Sequence, residues 1–287
     1  MTLSEAEPHL FQASLDLDGA GGHYEQVVPA AWEGQPGLVY GGFTLATVVR
    51  AAGLESATGR PASVMCQFLR PVAVEDPIRI DVTPVRRGRS SDLLHVSLIQ
   101  SNRLAVDAQV RTTTATSGPE IPASPSRDLD EPLSFRNARE LYAEDGWELI
   151  PNFMNHLEAR VDWETEKSDC FAWSRFAEGL VFEDPFLEAA RVSFLIDQQA
   201  PAVLNHLGFL RGPRRFELPW FFTNLDLFVH FHKAHGTDWL CYISNVTGGL
   251  DGVAAARTEA WSQEGELLAT AHSQIAFFPT TGERVFG

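Results

Sequence analysis

The feature that most constrains the fold is a pair of glycines that leads into an almost wholly apolar stretch. Gly41-Gly42 is followed by Phe43–Ala52, in which Arg50 is the only charged residue. A helix that is apolar on all sides cannot lie on a surface, so other elements must enclose it. Gly53 and the turn residues Gly59-Arg60-Pro61 end the stretch. The pattern therefore predicts a buried helix that begins at two glycines.

A helix that starts with glycine leaves bare backbone N–H groups at its N-terminus. The helix dipole favours negative charge at this end, so the position suits a carbonyl oxygen or an anion. The same glycines could serve only to allow a tight turn beneath a sheet. The motif by itself leaves both interpretations open.

The chain repeats one plan of elements. Four strand-like runs follow the helix between Ala62 and Thr114 and would wrap around it. A proline-rich, acidic segment comes next, and then two strand-like runs, a predicted helix over Ala189–Leu207 and four more strands. The sequence predicts an N-terminal unit over 1–114, a surface linker over 115–146 and a C-terminal unit over 147–287.

Composition narrows the class of partners and the compartment. The net charge is -16, with 38 acidic and 22 basic residues, which disfavours nucleic acid and anionic membranes as partners. No apolar run is long enough to span a membrane. The chain start has no secretion pattern, and the three cysteines stand singly in apolar runs. We therefore expect reduced, buried thiols and a cytoplasmic protein.

A buried helix wrapped by an antiparallel sheet, present twice, resembles the double hotdog architecture, an α+β fold. Individual motifs resemble the acyl-CoA thioesterase II family of that superfamily. The residues that carry the resemblance are Tyr40-Gly41-Gly42, Phe68-Leu69-Arg70-Pro71, Val85–Ser90, Asp197, Leu225–His232, Asp238-Trp239-Leu240, Trp261, Gly265 and Gln274.

The resemblance implies hydrolysis of a fatty acyl-CoA to the free acid and CoA, with no cofactor. Members of the family hold and activate a water with an Asp, a Thr and a Gln, which fall here on Asp197, Asn224 and Gln274. The Thr position carries an amide, which can also hold a water. Thr223 is adjacent, but neighbouring side chains on a strand point to opposite faces. Tyr40 stands where many relatives carry His.

The chemistry of thioester cleavage fits these residue types. A carboxylate acting as general base contributes roughly 10²–10⁴ in rate. A backbone N–H that stabilises the oxyanion contributes about 10²–10³. Asp197 lies in an apolar run, and burial there would raise its pKa. From the pattern alone, Asp197 and Gln274 suit solvent-facing positions equally well. With the resemblance, we expect a composite site in which Tyr40, Gly41 and Gly42 face Asp197, Asn224 and Gln274.

Two clusters of arginine offer positive charge for the phosphates of CoA. Arg86, Arg87 and Arg89 are the expected CoA-binding residues, and Arg211, Arg214 and Arg215 form a second cluster. Each cluster taken alone also fits an ordinary solvated loop.

Three histidines, His230, His232 and His235, allow a metal interpretation, because the first two share a strand face. No cysteine pairs accompany them, and the resemblance explains the segment without a metal, so we expect none. We expect a homodimer or homotetramer that buries exposed sheet edges and faces. The alternative function is a non-catalytic hotdog protein that binds acyl-CoA or acyl-carrier protein.

Overall fold

The computed structural model describes residues 9–115, 117–119, 121–144, 150–162, 169–197, 199–207, 220–233 and 236–279. Its α-helices are α1 (Leu10–Ser14), α2 (Gly41–Glu55), α3 (Ala138–Glu144), α4 (Pro185–Ile196) and α5 (Gln199–His206). The strands before the linker are β1 (Asp18–Ala20), β2 (His23–Val27), β3 (Glu33–Gln35), β4 (Leu38–Val39), β5 (Arg60–Phe68), β6 (Pro77–Arg86), β7 (Leu93–Gln100) and β8 (Arg103–Thr113). The later strands are β9 (Arg136–Asn137), β10 (Leu157–Asp162), β11 (Asp169–Phe176), β12 (Trp220–Asn224), β13 (Asp226–Phe231), β14 (Leu240–Leu250), β15 (Val253–Trp261) and β16 (Leu267–Pro279).

One antiparallel sheet of 14 strands runs through both halves of the chain. Its order is β1-β2-β6-β7-β8-β5 and then β13-β16-β15-β14-β11-β10-β9, with β12 also paired to β16. The order β2-β6-β7-β8-β5 recurs in the second half as β11-β14-β15-β16-β13. The two copies meet where β5 pairs with β13, and Met65 lies opposite Phe228. This duplicated arrangement confirms the α+β double hotdog fold.

The buried helix predicted from the glycine motif is α2, whose side chains from Phe43 to Val49 are all buried. It packs against α4 of the second half, and a Cβ on Gly53 would lie 2.6 Å from the ring of Phe186. Phe43 also stacks on Trp32, with ring centroids 5.3 Å apart. The two central helices therefore share one core between the halves of the sheet.

The second buried helix is broken, where the sequence pattern predicts one helix over Ala189–Leu207. It begins earlier, at Pro185, because the Asp184 side chain caps it, and it ends at Ile196. Asp197 follows in a non-helical conformation with φ -75° and ψ 60°, and α5 begins at Gln199. A helix continued through Pro201 would lose the N–H that bonds the carbonyl of Asp197 and would set the proline ring against it. The break therefore falls at Asp197.

Part of the predicted linker is folded onto the second half. β9 pairs with β10, and Leu141 of α3 is buried. Leu129 and Phe135 pack against a cluster that contains Trp173.

The three cysteines, Cys66, Cys170 and Cys241, are buried free thiols. In the described part of the chain, no helix is long and apolar enough to cross a membrane.

Candidate active site

Asp197 of the second half lies against the N-terminus of α2 in the first half. The side chain is nearly enclosed, with 8% of the residue exposed. The backbone N–H of Gly42 donates a hydrogen bond to its carboxylate. A Cβ on Gly41 would lie 2.8 Å from Asp197 Oδ2, and one on Gly42 would lie 2.4 Å from the carbonyl oxygen of Phe194. Only glycine at these positions lets the carboxylate and α4 approach the helix so closely.

The first turn of α2 contains a backbone N–H group that has no partner among the described residues. The N–H groups of Phe43 and Thr44 both bond the carbonyl oxygen of Tyr40, at 3.0 and 3.1 Å. The Gly42 N–H is used by Asp197. The N–H of Gly41 makes no hydrogen bond to any residue in the described ranges. It is a donor at the positive end of a helix dipole, beside a carboxylate, and it suits a carbonyl oxygen that acquires negative charge.

Asn224, the last residue of β12, completes the surroundings of the carboxylate. Its Nδ2 donates to Asp197 Oδ1, while its own Oδ1 is buried and lacks a partner among the described residues. An unpartnered buried acceptor is costly, at roughly 1–3 kcal/mol, unless water or a ligand supplies a donor. The free amide oxygen therefore marks a place for a donor beside Asp197.

A shift of one residue in the strand register turns the Asn224 side chain towards the inner face of the sheet. In the pairing of β13 with β16, Phe228 lies opposite His272. If this register continued into β12, Leu225 would lie opposite Ile275, but Asn224 occupies that position. The extra residue is Leu225, whose N–H donates to the carbonyl of Gln274 at 2.8 Å. Such bulges re-aim side chains. Asn224 thus shares the inner face with Ile275, and its neighbour Thr223 points the other way.

Burial raises the pKa of Asp197 to about 7, although hydrogen bonds from Gly42 and Asn224 and the nearby hydroxyl of Tyr40 counteract this rise. The buried charge is thus partly stabilised by polar groups from both halves of the chain. A carboxyl with this pKa is ionised to a large extent at neutral pH and still takes up a proton readily. Such a group matches the requirements of a general base that works near pH 7.

Tyr40 contacts Asp197 directly. Its hydroxyl donates to the main-chain carbonyl oxygen of Asp197 at 2.5 Å and also lowers the pKa of the carboxylate. Its ring stacks on Phe153, with centroids 3.9 Å apart and an angle of 13°. The sequence pattern grouped Tyr40 with the substrate-binding glycines and missed its link to Asp197. The available signal was Pro201, which stands four residues after Asp197 and frees its carbonyl.

Gln274 is not brought to this cluster. It is one residue from the inward-facing Ile275, so its side chain is on the opposite, exposed face of β16. Its backbone N–H donates to Asp226 Oδ1 at 2.7 Å. Within the described part of the chain its side chain makes no hydrogen bond. The structure therefore assembles Tyr40, Gly41, Gly42, Asp197 and Asn224, without Gln274.

The arginines expected to bind CoA lie at the other end of α2. Arg86 is the last residue of β6, Arg87 and Arg89 follow in the turn to β7, and all three are exposed. Arg87 donates to the carbonyl oxygen of Glu55 at 2.9 Å and pairs with the buried Asp92 at 3.2 Å. Glu55 ends a helix of 15 residues that starts at Gly41, so this turn is about 20 Å from the carboxylate. Arg211, Arg214 and Arg215 lie outside the described residues.

The histidines are on an exposed sheet face. His230 and His232 are exposed on β13 and directly after it, and His232 bonds the hydroxyl of Thr270 at 3.1 Å. His235 lies outside the described residues. Among the residues that the structure describes, no three His, Cys, Asp or Glu side chains are grouped so as to hold a metal ion.

Family comparisons agree with this architecture. Residues 28–117 match the family model of the acyl-CoA thioesterase N-terminal domain, and residues 129–277 match that of the acyl-CoA thioesterase C-terminal domain. No curated protein matches the sequence.

Solved structures share the fold across nearly the whole chain. A hot dog protein of unknown function from Alicyclobacillus acidocaldarius has 20% identity and a TM-score of 0.78, covering 96% of this chain and 100% of its own. The tesB protein of Mycobacterium avium subspecies paratuberculosis has 22% identity and a TM-score of 0.71, with coverages of 94% and 98%. The acyl-CoA thioesterase II TesB2 of Mycobacterium marinum has 17% identity and a TM-score of 0.75, with coverages of 95% and 100%. Because both family models match and together span most of the sequence, the chain belongs to the acyl-CoA thioesterase family.

Proposed function

We propose that the protein hydrolyses acyl-CoA thioesters, with fatty acyl-CoA as the substrate class. The observation that carries this proposal is the contact between Asp197 and the glycine tip of α2. A buried carboxyl with a pKa of about 7 lies there beside the N–H of Gly41, which bonds no residue that the structure describes. General base and oxyanion donor are the two groups that hydrolysis of a thioester requires.

In the proposed reaction the thioester carbonyl oxygen accepts a hydrogen bond from the N–H of Gly41. Asp197 takes a proton from a water as the water oxygen attacks the carbonyl carbon. The negative charge that develops on the carbonyl oxygen is stabilised by the same N–H and by the helix dipole. Collapse of the tetrahedral intermediate breaks the carbon–sulfur bond. The thiolate then receives the proton, giving the free acid and CoA.

Asn224 supports both the general base and the attacking water in this step. Its Nδ2 engages Asp197 Oδ1, which leaves Oδ2 on the side of Gly41 for the water. Its Oδ1, which has no partner in the described part of the chain, can accept the second hydrogen of the same water. The amide therefore supplies a donor and an acceptor, the two functions that a hydroxyl would provide at this position.

We also propose a cytoplasmic homodimer or homotetramer. Free, buried cysteines support a reducing compartment. Met65 is 51% exposed in the middle of the outer sheet face, beside the half-buried Phe228. An apolar centre on an otherwise polar face supports burial against a second copy.

The test is a thiol-release assay with acyl-CoAs from short to long chains. We expect release by the wild type and a loss of roughly 10²–10⁴ in kcat for Asp197→Asn. Asp226→Asn is the matched control, because this half-buried carboxylate lies on the other sheet face and Asn keeps an acceptor for the N–H of Gln274.

Two outcomes would contradict the proposal. Full activity of Asp197→Asn on every substrate would remove Asp197 from the mechanism. Tight binding of acyl-CoA by the wild type without thiol release would instead support the non-catalytic binding protein, which the amide at position 224 makes the second candidate.

A further inference from the structure

We propose that Tyr40 is a positioning residue that holds Asp197 in its working geometry through the carbonyl oxygen of Asp197. The inference rests on the proposed function, and it assigns to Tyr40 a role other than contact with the substrate. The main-chain carbonyl of Asp197 lacks the backbone N–H donor that a continuous helix would provide.

Pro201 creates the need for an outside donor. In a continuous helix the N–H of residue 201 would bond the carbonyl of residue 197. Proline has no N–H, and its ring would clash with that carbonyl. The helix α4 accordingly ends at Ile196, and Asp197 leaves the helical conformation. Its carbonyl oxygen accepts from the Tyr40 hydroxyl instead, at 2.5 Å. A side chain from the first half of the chain thus replaces a backbone donor missing in the second.

Tyr40 is itself firmly held. Its backbone N–H donates to the carbonyl oxygen of Trp32 at 2.9 Å, and its own carbonyl accepts from the first turn of α2. The ring lies flat on Phe153 and contacts Phe194 at an angle of 73°, with centroids 5.1 Å apart. A ring held by two aromatic neighbours keeps its hydroxyl at a defined point. Tyr40 therefore fixes the position of the general base relative to the N-terminus of α2.

The hydroxyl also affects the charge of the base. Its nearness lowers the pKa of the Asp197 carboxyl, as do the hydrogen bonds from Gly42 and Asn224. Besides Tyr40, the titratable group that interacts with Asp197 among the described residues is the buried Cys66 of β5, whose own pKa is raised chiefly by burial. Loss of the hydroxyl should therefore raise the pKa of Asp197 and leave its carbonyl unpaired. The general base would be both less ionised and less well fixed.

The informative variant is Tyr40→Phe, which keeps the ring and its stacking and removes only the hydroxyl. Tyr24→Phe is the matched control. Tyr24 is buried, and its hydroxyl donates at 2.6 Å to Glu55, at the far end of α2. Both variants lose one partly buried hydrogen bond of a tyrosine, but only one of these bonds involves Asp197.

Two measurements are made on the full chain: the pH dependence of kcat/KM for an acyl-CoA, and a carbon-13 NMR titration of the Asp197 carboxyl, assigned with Asp197→Asn. For Tyr40→Phe we expect both apparent pKa values to rise by about one unit. At pH 7 this corresponds to a loss of roughly fivefold in kcat/KM. For Tyr24→Phe we expect both values to stay at those of the wild type.

An unchanged NMR titration in Tyr40→Phe would overturn the positioning role, whatever the activity. An NMR shift in a protein that releases no thiol would preserve the positioning role and contradict the proposed function. If Tyr40→Phe fails to fold, Phe153→Leu replaces it, because this variant keeps the hydroxyl but removes the stacking that aims it. A smaller upward shift is then expected, and its absence would overturn the inference.

Discussion

The backbone N–H of Gly42 donates to the carboxylate of Asp197, so the N-terminus of one central helix is capped by the residue that directly follows the other. The two residues come from different copies of the duplicated unit. The site is therefore composite: neither half holds both the helix tip and the carboxylate. Its geometry depends on the packing of α2 against α4 and on the joint between β5 and β13.

The close contact at Gly41 predicts a large effect of one added methyl group. In Gly41→Ala the Cβ would lie 2.8 Å from Asp197 Oδ2, so the carboxylate must move. We expect kcat to fall by about tenfold or more, since displaced catalytic groups lose this much. Gly59→Ala is the control, because a Cβ at Gly59 meets no atom within 4 Å. Thiol release by both variants measures the effect, and equal rates would show that Gly41 is not required.

The inward aim of Asn224 predicts a contrast between neighbours on one strand. Asn224→Ala removes the donor to Asp197 Oδ1 and the buried Oδ1 acceptor, and we expect kcat to fall by about 10- to 100-fold. Thr223→Ala changes the side chain on the opposite face and should stay within about twofold of the wild type. Steady-state kinetics of the pair would decide the matter, and a larger loss in Thr223→Ala would contradict the register described here.

The position of Gln274 predicts a small effect where the family resemblance implies a large one. Its side chain lies on the exposed face of β16, and its backbone makes the contacts to Asp226 and Leu225. We expect Gln274→Ala to keep kcat within about twofold, as surface substitutions usually do. The measurement is kcat on the preferred acyl-CoA. A loss above tenfold would mean that Gln274 reaches Asp197 when substrate is bound.

The raised pKa of Asp197 predicts how stability depends on pH. The folded-state pKa of about 7 lies above the ordinary value of 3.8, so between these values the folded protein retains a proton that the unfolded chain releases. Asp197 therefore makes stability decrease as pH rises through this window. Above about pH 7, Asp197→Asn should be more stable than the wild type, by on the order of 1–4 kcal/mol.

The free energy of unfolding in urea, measured at several pH values, tests this prediction. The difference between Asp197→Asn and the wild type should shrink as the pH falls below the ordinary value of 3.8, where the folded and unfolded proteins both hold the proton. A difference that does not change with pH would contradict a buried carboxylate at this position. Asp226→Asn again provides the control, because this side chain is only half-buried.

Sequence alone predicted the enclosed helix after Gly41-Gly42 and the repeated order of elements, and their resemblance to known proteins indicated the double hotdog fold. The helix and the repeat follow from the local spacing of apolar residues and turns, which records whether a segment is buried and with what period. The motifs also singled out Asp197 and Asn224 as members of one site. The contact between these two side chains is a finding of the structure.

The helix break and the strand register each depended on a single residue that interrupts the regular spacing of apolar residues. The apolar spacing continues from Ala189 to Leu207, although Pro201 stops the helix at Ile196. One extra residue at Leu225 decides that Asn224 faces inward and separates it from the face of Gln274. A slip of one residue reverses every side chain that follows it, and the pattern of apolar residues does not locate the slip.

The sequence thus determined which segments are buried and which residue types are available for the chemistry. The tertiary structure decided which of them meet, because Tyr40 and Asp197 are 157 residues apart and contact each other only through the packing of two helices in one sheet. The same packing sets the cluster of Arg86, Arg87 and Arg89 at the far end of α2. Local periodicity records burial, but contacts over such separations depend on how the two halves dock.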